Sequence, residues 1–276
     1  MSELTATQLE LIRSKLTDRD KRLLSFMRNL RYMKTEQVRR LFFPQTDTDT
    51  LHASKVRTFK TLNRLMGYGL IDQYEKRIGG IRAGSKGIIW HVTESGARLL
   101  NLGTERQNMR KRFLEPAPTF LRHTIAVTET FVQIVEICRD DPVMKLRNIQ
   151  VEPDCWREYR KNDKAISLRP DLYAKIITGE YFDHLFVEMD LDTEAPSAVV
   201  EKCRRYHEYY KTGVEQKASG AFPLVLWIVP DENRKNKLTE AIRDAFKNRY
   251  PHIFLIIIPA ELEVVLRDGA DKERLC

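Results

Sequence analysis

The chain has 276 residues, 42% of them hydrophobic and 31% charged, the composition of a soluble globular protein with room for two modest domains. No stretch approaches the length of an apolar membrane span, and the opening MSELTATQLELIRSKL lacks the apolar centre of a secretion signal, so a cytoplasmic protein without membrane contact is expected. The net charge of +8 is uneven: residues 1–115 carry 23 Lys/Arg against 12 Asp/Glu, a net of +11, whereas 116–276 carry 24 against 27, a net of −3. A basic first part points to a polyanionic partner, with a merely solvated basic surface as the plainer alternative.

Thr17 and Asp18 can cap a first helix running to Tyr32, with Leu23, Leu24, Met27 and Leu30 inward. Thr35 opens a short second helix, TEQVRRLFF, which Pro44 ends, and TDTDT (46–50) is a polar turn. A third helix, ASKVRTFKTLNRLMGYG, stops at Gly67 or Gly69. At about 100° per residue, Val56, Phe59, Leu62, Leu65 and Met66 share its inner face. Arg57, Lys60 and Arg64 lie opposite, with Ser54 and Thr61 beside them, a set that suits a DNA groove. A strand, a glycine-rich turn (Gly79, Gly80, Gly84, Gly87), a second strand and a helix follow. Arg77, Arg82 and Lys86 sit on or near the tip of this hairpin, and Trp90 and Val92 are expected to point inward. Three helices and then a basic hairpin is the order of a winged helix-turn-helix, and 1–100 is assigned to one. Residues 101–119 read as a basic linker, with Arg106, Arg110, Lys111 and Arg112 ahead of Pro116 and Pro118.

Residues 120–276 read as a second domain. FLRHTIAVTETFVQIVEICRD is an amphipathic helix and MKLRNIQVEP a strand; LRPDLYAKII and YFDHLFVEMDL are two more strands joined by TGE. SAVVEKCRRYHEYYKTG is a helix stopped by Gly213. FPLVLWIVP and HIFLIIIP are apolar runs of the kind buried on both faces, separated by the helix RKNKLTEAIRDAFKNRY. The fold class is therefore α+β to α/β, a winged helix followed by a mixed sheet flanked by helices. The first six elements match the core order of the PD-(D/E)xK nuclease fold.

That order gives meaning to RPDLYAKIITGEYFDHLFVEMDLDTE (169–194). Asp171 opens one strand, and Glu188 and Asp190 share a face at the end of the next. If the faces adjoin, three carboxylates converge and could hold Mg²⁺, with Glu129 of the preceding helix able to join them. An active centre of this kind usually has lysine where Asp190 stands; the best-placed substitute is Lys202 on the next helix, with Arg205 one turn on. The plainer alternative is a buried cluster of Asp171, Glu188, Asp190 and Lys202 completed by Tyr206. Asp171, Glu188, Asp190 and Lys202 are catalytic candidates, and the three acids metal ligands, only on the nuclease reading.

The pattern as a whole resembles the replication-relaxation family of Gram-positive plasmids and other mobile elements. The resemblance rests on HVTESGARLL, LRHTIAVTET, RPDLYAKI, FVEMDLDTE and KCRRYHEYY, and includes Glu188, Asp190, Thr193 and Glu194 in the family's Glu-x-Asp-x-x-Thr-Glu sequence. It implies a role in plasmid replication and relaxation of plasmid DNA, and it makes Asp190 a family feature.

Other chemistry finds little support. Cys203 and His207 have a zinc-compatible spacing but no second pair, so core packing is expected. Cys138, Cys155, Cys203 and Cys276 form no CxxC pair and read as free thiols. No P-loop and no His-x-His motif beside a tyrosine occurs. The leading expectation is a sequence- or structure-directed DNA-binding accessory protein of a mobile element, acting in plasmid replication, DNA relaxation or processing, or transfer, leaning away from an enzyme and needing no cofactor to bind DNA, with Mg²⁺ only if the centre is active. Its expected partners are double-stranded DNA and replication or transfer proteins, with a homodimer open to it. The alternatives are a metal-dependent endonuclease targeted by its own winged helix, and a transcriptional regulator whose second domain dimerises or senses a ligand.

Overall fold

The computed structural model describes residues 4–74, 87–102, 116–161, 163–247 and 252–269. The chain divides into two compact units, Met1–Val132 and Gln133–Cys276.

The first unit opens with α1 (Ala6–Lys15), which the sequence reading lacked, and α2 (Asp18–Leu30). Thr17 caps α2 by accepting from the Asp20 amide, and Asp20 returns a bond to the Thr17 amide. Leu23, Leu24, Met27 and Leu30 of α2 are buried, as their spacing predicts. A two-residue strand β1 (Met33–Lys34) leads into α3 (Thr35–Phe42), then α4 (Leu51–Gly67), capped by Thr50. Strands β2 (Ile71–Gln73) and β3 (Ile89–Val92) pair antiparallel, and β1 pairs with the other side of β3, giving a three-stranded sheet in the order β1-β3-β2. Trp90 and Val92 point into the core, and the Trp90 indole donates to the Thr35 hydroxyl.

Helix α5 (Glu94–Asn101) shows why the segment HVTESGARLL reads as it does. Thr93 accepts from the Gly96 amide, and its hydroxyl donates to the Gly69 carbonyl. A Cβ on Gly96 would lie 2.1 Å from the Leu70 carbonyl oxygen, so only glycine lets α5 approach that turn. Helix α6 (Pro118–Asp140) begins in the first unit, where Leu121 and Ile125 pack with Ile89, Tyr32 and Tyr74.

The second unit is built on a five-stranded mixed sheet in the order β10-β9-β8-β7-β4. Its strands are β4 (Met144–Val151), β7 (Leu172–Thr178), β8 (Tyr181–Met189), β9 (Leu224–Ile228) and β10 (Phe254–Ile257). The pairings β4–β7 and β7–β8 are antiparallel; β8–β9 and β9–β10 are parallel. Between β4 and β7 stands a separate hairpin, β5 (Arg157–Lys161) and β6 (Lys164–Leu168), absent from the sequence reading.

Helices α7 (Pro196–Thr212) and α9 (Glu232–Phe246) pack together, with Tyr206, Val225, Trp227, Leu238 and Phe254 in one core. Gly213, at φ 68, ends α7 in the left-handed region, as expected, and the short α8 (Val214–Ser219) follows. A 3-10 turn (Pro259–Glu261) and α10 (Leu262–Asp268) close the described fold.

Candidate functional site

Two features bear on function, one in each unit. In the first, α4 buries Ser54, Thr58, Leu62 and Leu65. The Ser54 hydroxyl donates to the Phe43 carbonyl, and the Thr58 hydroxyl donates to the Ser54 carbonyl at 2.9 Å. Two small side chains satisfied by backbone thus form the inner stripe. The helix is rotated from the orientation its apolar count suggests: Ser54 is fully buried, not beside the basic face, and Phe59 is 42% exposed instead of facing the core.

Arg57, Lys60 and Arg64 are exposed and Thr61 is half-buried. Arg57 pairs with Asp49 in the turn before the helix, and their hydrogen bond holds the Asp49 carboxyl below its ordinary range. Arg64 donates at 2.6 Å to Asp20, whose side chain is only 2% exposed. Arg64 therefore compensates a buried carboxylate as well as standing at the surface. Arg77, Arg82, Lys86, Arg106, Arg110, Lys111 and Arg112 lie outside the described residues.

In the second unit, Asp171 and Glu188 come together where β7 begins and β8 ends. The Asp171 amide donates to the Val187 carbonyl, and its carboxylate accepts from the Met189 amide at 2.8 Å, which pins it to β8. Glu188 accepts from the Tyr206 hydroxyl at 2.6 Å. Lys202, also on α7, lies 3.8 Å from Glu188, 3.0 Å from Glu194 and 5.7 Å from the centre of the Trp227 ring. Trp227 is the β9 neighbour of Glu188, and its buried indole nitrogen makes no hydrogen bond among the described residues.

Burial, then the charge of Asp171, pushes the Glu188 carboxyl up to about 8; Lys202 and the Tyr206 hydroxyl oppose the shift without cancelling it. Burial disfavours the charge on Lys202, but Glu188, Glu194 and Asp171 outweigh it and hold its ammonium above the ordinary value. A protonated Glu188 supplies Lys202 with no counter-charge. The distances favour Glu194 as the principal ion partner, because it is the closer of the two.

Asp190 departs from the expected convergence. Strand β8 ends at Met189, and the Asp190 side chain turns to Arg234 at 2.6 Å; both side chains are nearly inaccessible to water. Arg234 also reaches Asp192 at 2.9 Å and donates to the Glu194 carbonyl at 2.7 Å. It is carried on the first turn of α9, where its amide donates to the capping Asp231. The guanidinium thus ties together the loop from β8 to α7, whose far end presents Glu194 to Lys202.

Glu129, expected to join the acids, is held in the first unit by Gln37 and Arg40. Among the described residues no group of three or more His, Cys, Asp and Glu side chains is placed to hold a metal ion. Asp171, Glu188 and Asp190 as placed do not fit a three-carboxylate Mg²⁺ site. Cys203 is buried, and His207 packs edge-on against Phe246.

Sequence reasoning missed two arginines. Arg234 had one signal: an acid in the usual place of a lysine needs a cation, and α9 as well as α7 could supply it. Arg157 had none, sitting in a segment to which the sequence reading gave no element; it pairs at 3.1 Å with buried Glu215, which also accepts from Tyr209 at 2.7 Å.

The sequence model described as replication-relaxation matches residues 24–225, most of both units. No curated protein and no solved structure matches the chain. Among the described residues no helix is long and apolar enough to cross a membrane.

Proposed function

The chain belongs to the replication-relaxation family, and from that premise we propose that it is a DNA-binding accessory protein of a plasmid or other mobile element, acting in replication or DNA relaxation. On this reading the first unit is a winged helix-turn-helix with α4 as its recognition helix. The order α2-β1-α3-α4-β2-β3 with a β1-β3-β2 sheet supports that assignment. The observation that carries the reading is the face of α4, where Arg57, Lys60 and Arg64 are exposed on the side away from the buried stripe. Duplex DNA is the polyanion such a helix fits. Replication or transfer proteins would be its further partners.

The second unit is read as a PD-(D/E)xK-like domain, supported by the order α6-β4-β7-β8-α7-β9 and the mixed sheet. Its acidic centre is structural on this reading: Asp190 is neutralised by Arg234, Glu188 is capped by Tyr206, and Lys202 stands beside the remaining pair. One observation favours a second reading, a metal-dependent endonuclease. Lys202 reaches Glu188 beside Asp171, as a lysine moved onto α7 would.

Supercoiled plasmid incubated with the full chain in Mg²⁺ or Mn²⁺ separates the two. The accessory reading predicts a retarded protein–DNA complex with no nicked product. Nicking that disappears in folded Asp171→Ala, Glu188→Ala and Lys202→Ala variants would establish the endonuclease instead.

A further inference from the structure

The hairpin β5–β6 has no part in the site described above, and its charge is out of keeping with its surroundings. Residues 157–169 carry five Lys/Arg against two Asp/Glu, whereas the remainder of 116–276 carries 19 against 25. A basic element on an otherwise acidic unit is a local feature, not a consequence of overall charge.

Its inner face is fixed. Tyr159 stacks on Tyr209 of α7 with ring centres 5.3 Å apart, Leu168 is buried in the core, and Arg157 pairs with Glu215. The face and tip that remain are exposed and net positive, with Glu158 and Asp163 as their two acids. Arg160, Lys161, Lys164 and Arg169 are all exposed. Lys161 and Lys164 sit directly opposite each other across the hairpin. Like charges so placed repel, and Glu208, which accepts from Lys161 at 2.8 Å, is itself at the surface.

Arg169 lies over the Trp156 ring, its Cζ 4.5 Å from the ring centre, while its Nε donates to the Ser167 hydroxyl at 3.3 Å. Stacking and hydrogen bonding fix the guanidinium, so little further order is lost when its other N–H groups meet a phosphate. Arg169 also immediately precedes Pro170 and Asp171, so the basic edge leads into the acidic pair.

From this arrangement we infer that the second unit has its own contact for a nucleic-acid phosphate backbone, made by the outer face and tip of the β5–β6 hairpin. The inference rests on the reading of the protein as DNA-binding and adds a second place where DNA is held. An acidic protein is the weaker candidate, because none of the exposed large apolar side chains falls within 157–169 to form the centre of a protein interface.

The test uses the full chain and a short fluorescent duplex, with affinity measured by anisotropy over a range of salt. Substituting Arg160→Gln, Lys164→Gln and Arg169→Gln together should weaken all duplex sequences about equally. It should also lower the salt slope by about 2–3, at roughly 0.9 for each phosphate left without its cation. Circular dichroism checks that the variant is folded. The single Lys164→Glu change at the exposed tip is the second variant and should give a smaller loss in the same direction.

Wild-type binding with unchanged affinity and slope in both hairpin variants would overturn the inference while leaving the α4 reading intact. Wild-type protein that does not bind duplex at all would overturn both. Hairpin variants that bind duplex as wild type does but lose wild-type binding of poly-L-glutamate would assign this face to an acidic partner and overturn it as well.

Discussion

Arg64 in the first unit and Arg234 in the second each hold an almost wholly buried carboxylate, Asp20 and Asp190, at 2.6 Å. They differ in their own exposure: the Arg64 side chain is 39% accessible and that of Arg234 only 3%. Arg64 neutralises Asp20 while part of its side chain stays in water at the surface, where an external phosphate could meet it. At Asp190 both side chains are nearly inaccessible to water, and neither group is open to a ligand. Similar pairs at similar distances therefore support different roles. Around α4 the cations remain at the surface; around β8 the charges are turned inward and hold a loop.

The comparison is broken most severely by removing each arginine. Arg234→Ala leaves Asp190 buried beside Asp192 without its cation and should cost about 3–5 kcal/mol, read as a fall in unfolding free energy in urea. Replacing Arg234 and Asp190 together, by Met and Leu, should recover much of that loss, because no unpaired charge is then left behind. Arg64→Ala should cost less, about 1–2 kcal/mol, since water can reach part of the vacated site. Equal losses from the two single changes would show that exposure of the arginine does not set its structural weight.

Glu188 sharpens the comparison, because its nearest cation is a lysine at 3.8 Å whose closer partner is Glu194. Its carboxyl is raised from 4.5 to about 8, so its contribution to folding is fully present below the unfolded value and is lost as pH rises through the folded one. The stability of wild type should fall across that window. Glu188→Gln, which imitates the protonated form, should flatten the fall and gain on the order of 1–3 kcal/mol at its alkaline end. Urea midpoints measured at intervals across the window check this. A parallel pH dependence in the variant would mean that Glu188 stays ionised in the folded protein.

The smallest effect concerns the surface pair on α4. Asp49→Asn releases Arg57 without removing a buried group and should tighten duplex binding only roughly twofold, as exposed ion pairs are weak. Anisotropy titrations at low salt would detect it, and weaker binding would mean that Asp49 positions Arg57 instead of competing for it.

Much of this architecture was legible in the sequence where a period or a stop signal spoke clearly. The TGE turn ahead of YFDHLFVEM, the glycine after KT and the unbroken LVLWI mark β8, the end of α7 and β9. The approach of Asp171 to Glu188 and the contact of Tyr206 with Glu188 follow from the same elements.

The orientation of α4 was not legible, because Ser54 and Thr58 are polar residues whose hydroxyls are satisfied by backbone in the interior. Hairpin β5–β6 was hidden for a similar reason. Only Tyr159 and Leu168 among its described residues are buried, so REYRK and KAISL lack the apolar pattern that marks a strand. That Asp190 needs a cation was legible, but not which one, because Arg234 lies 44 residues further along the chain and no local pattern links them.

The central claim is that duplex DNA is held by the exposed cations of α4. Arg57→Ala with Lys60→Ala tests it most directly, because neither side chain compensates a buried carboxylate as Arg64 does. The measurement is the salt dependence of duplex affinity for the folded full chain and this variant. The account predicts weaker binding and a salt slope lower by about 2, one phosphate for each cation removed. Unchanged affinity with an unchanged slope would contradict it.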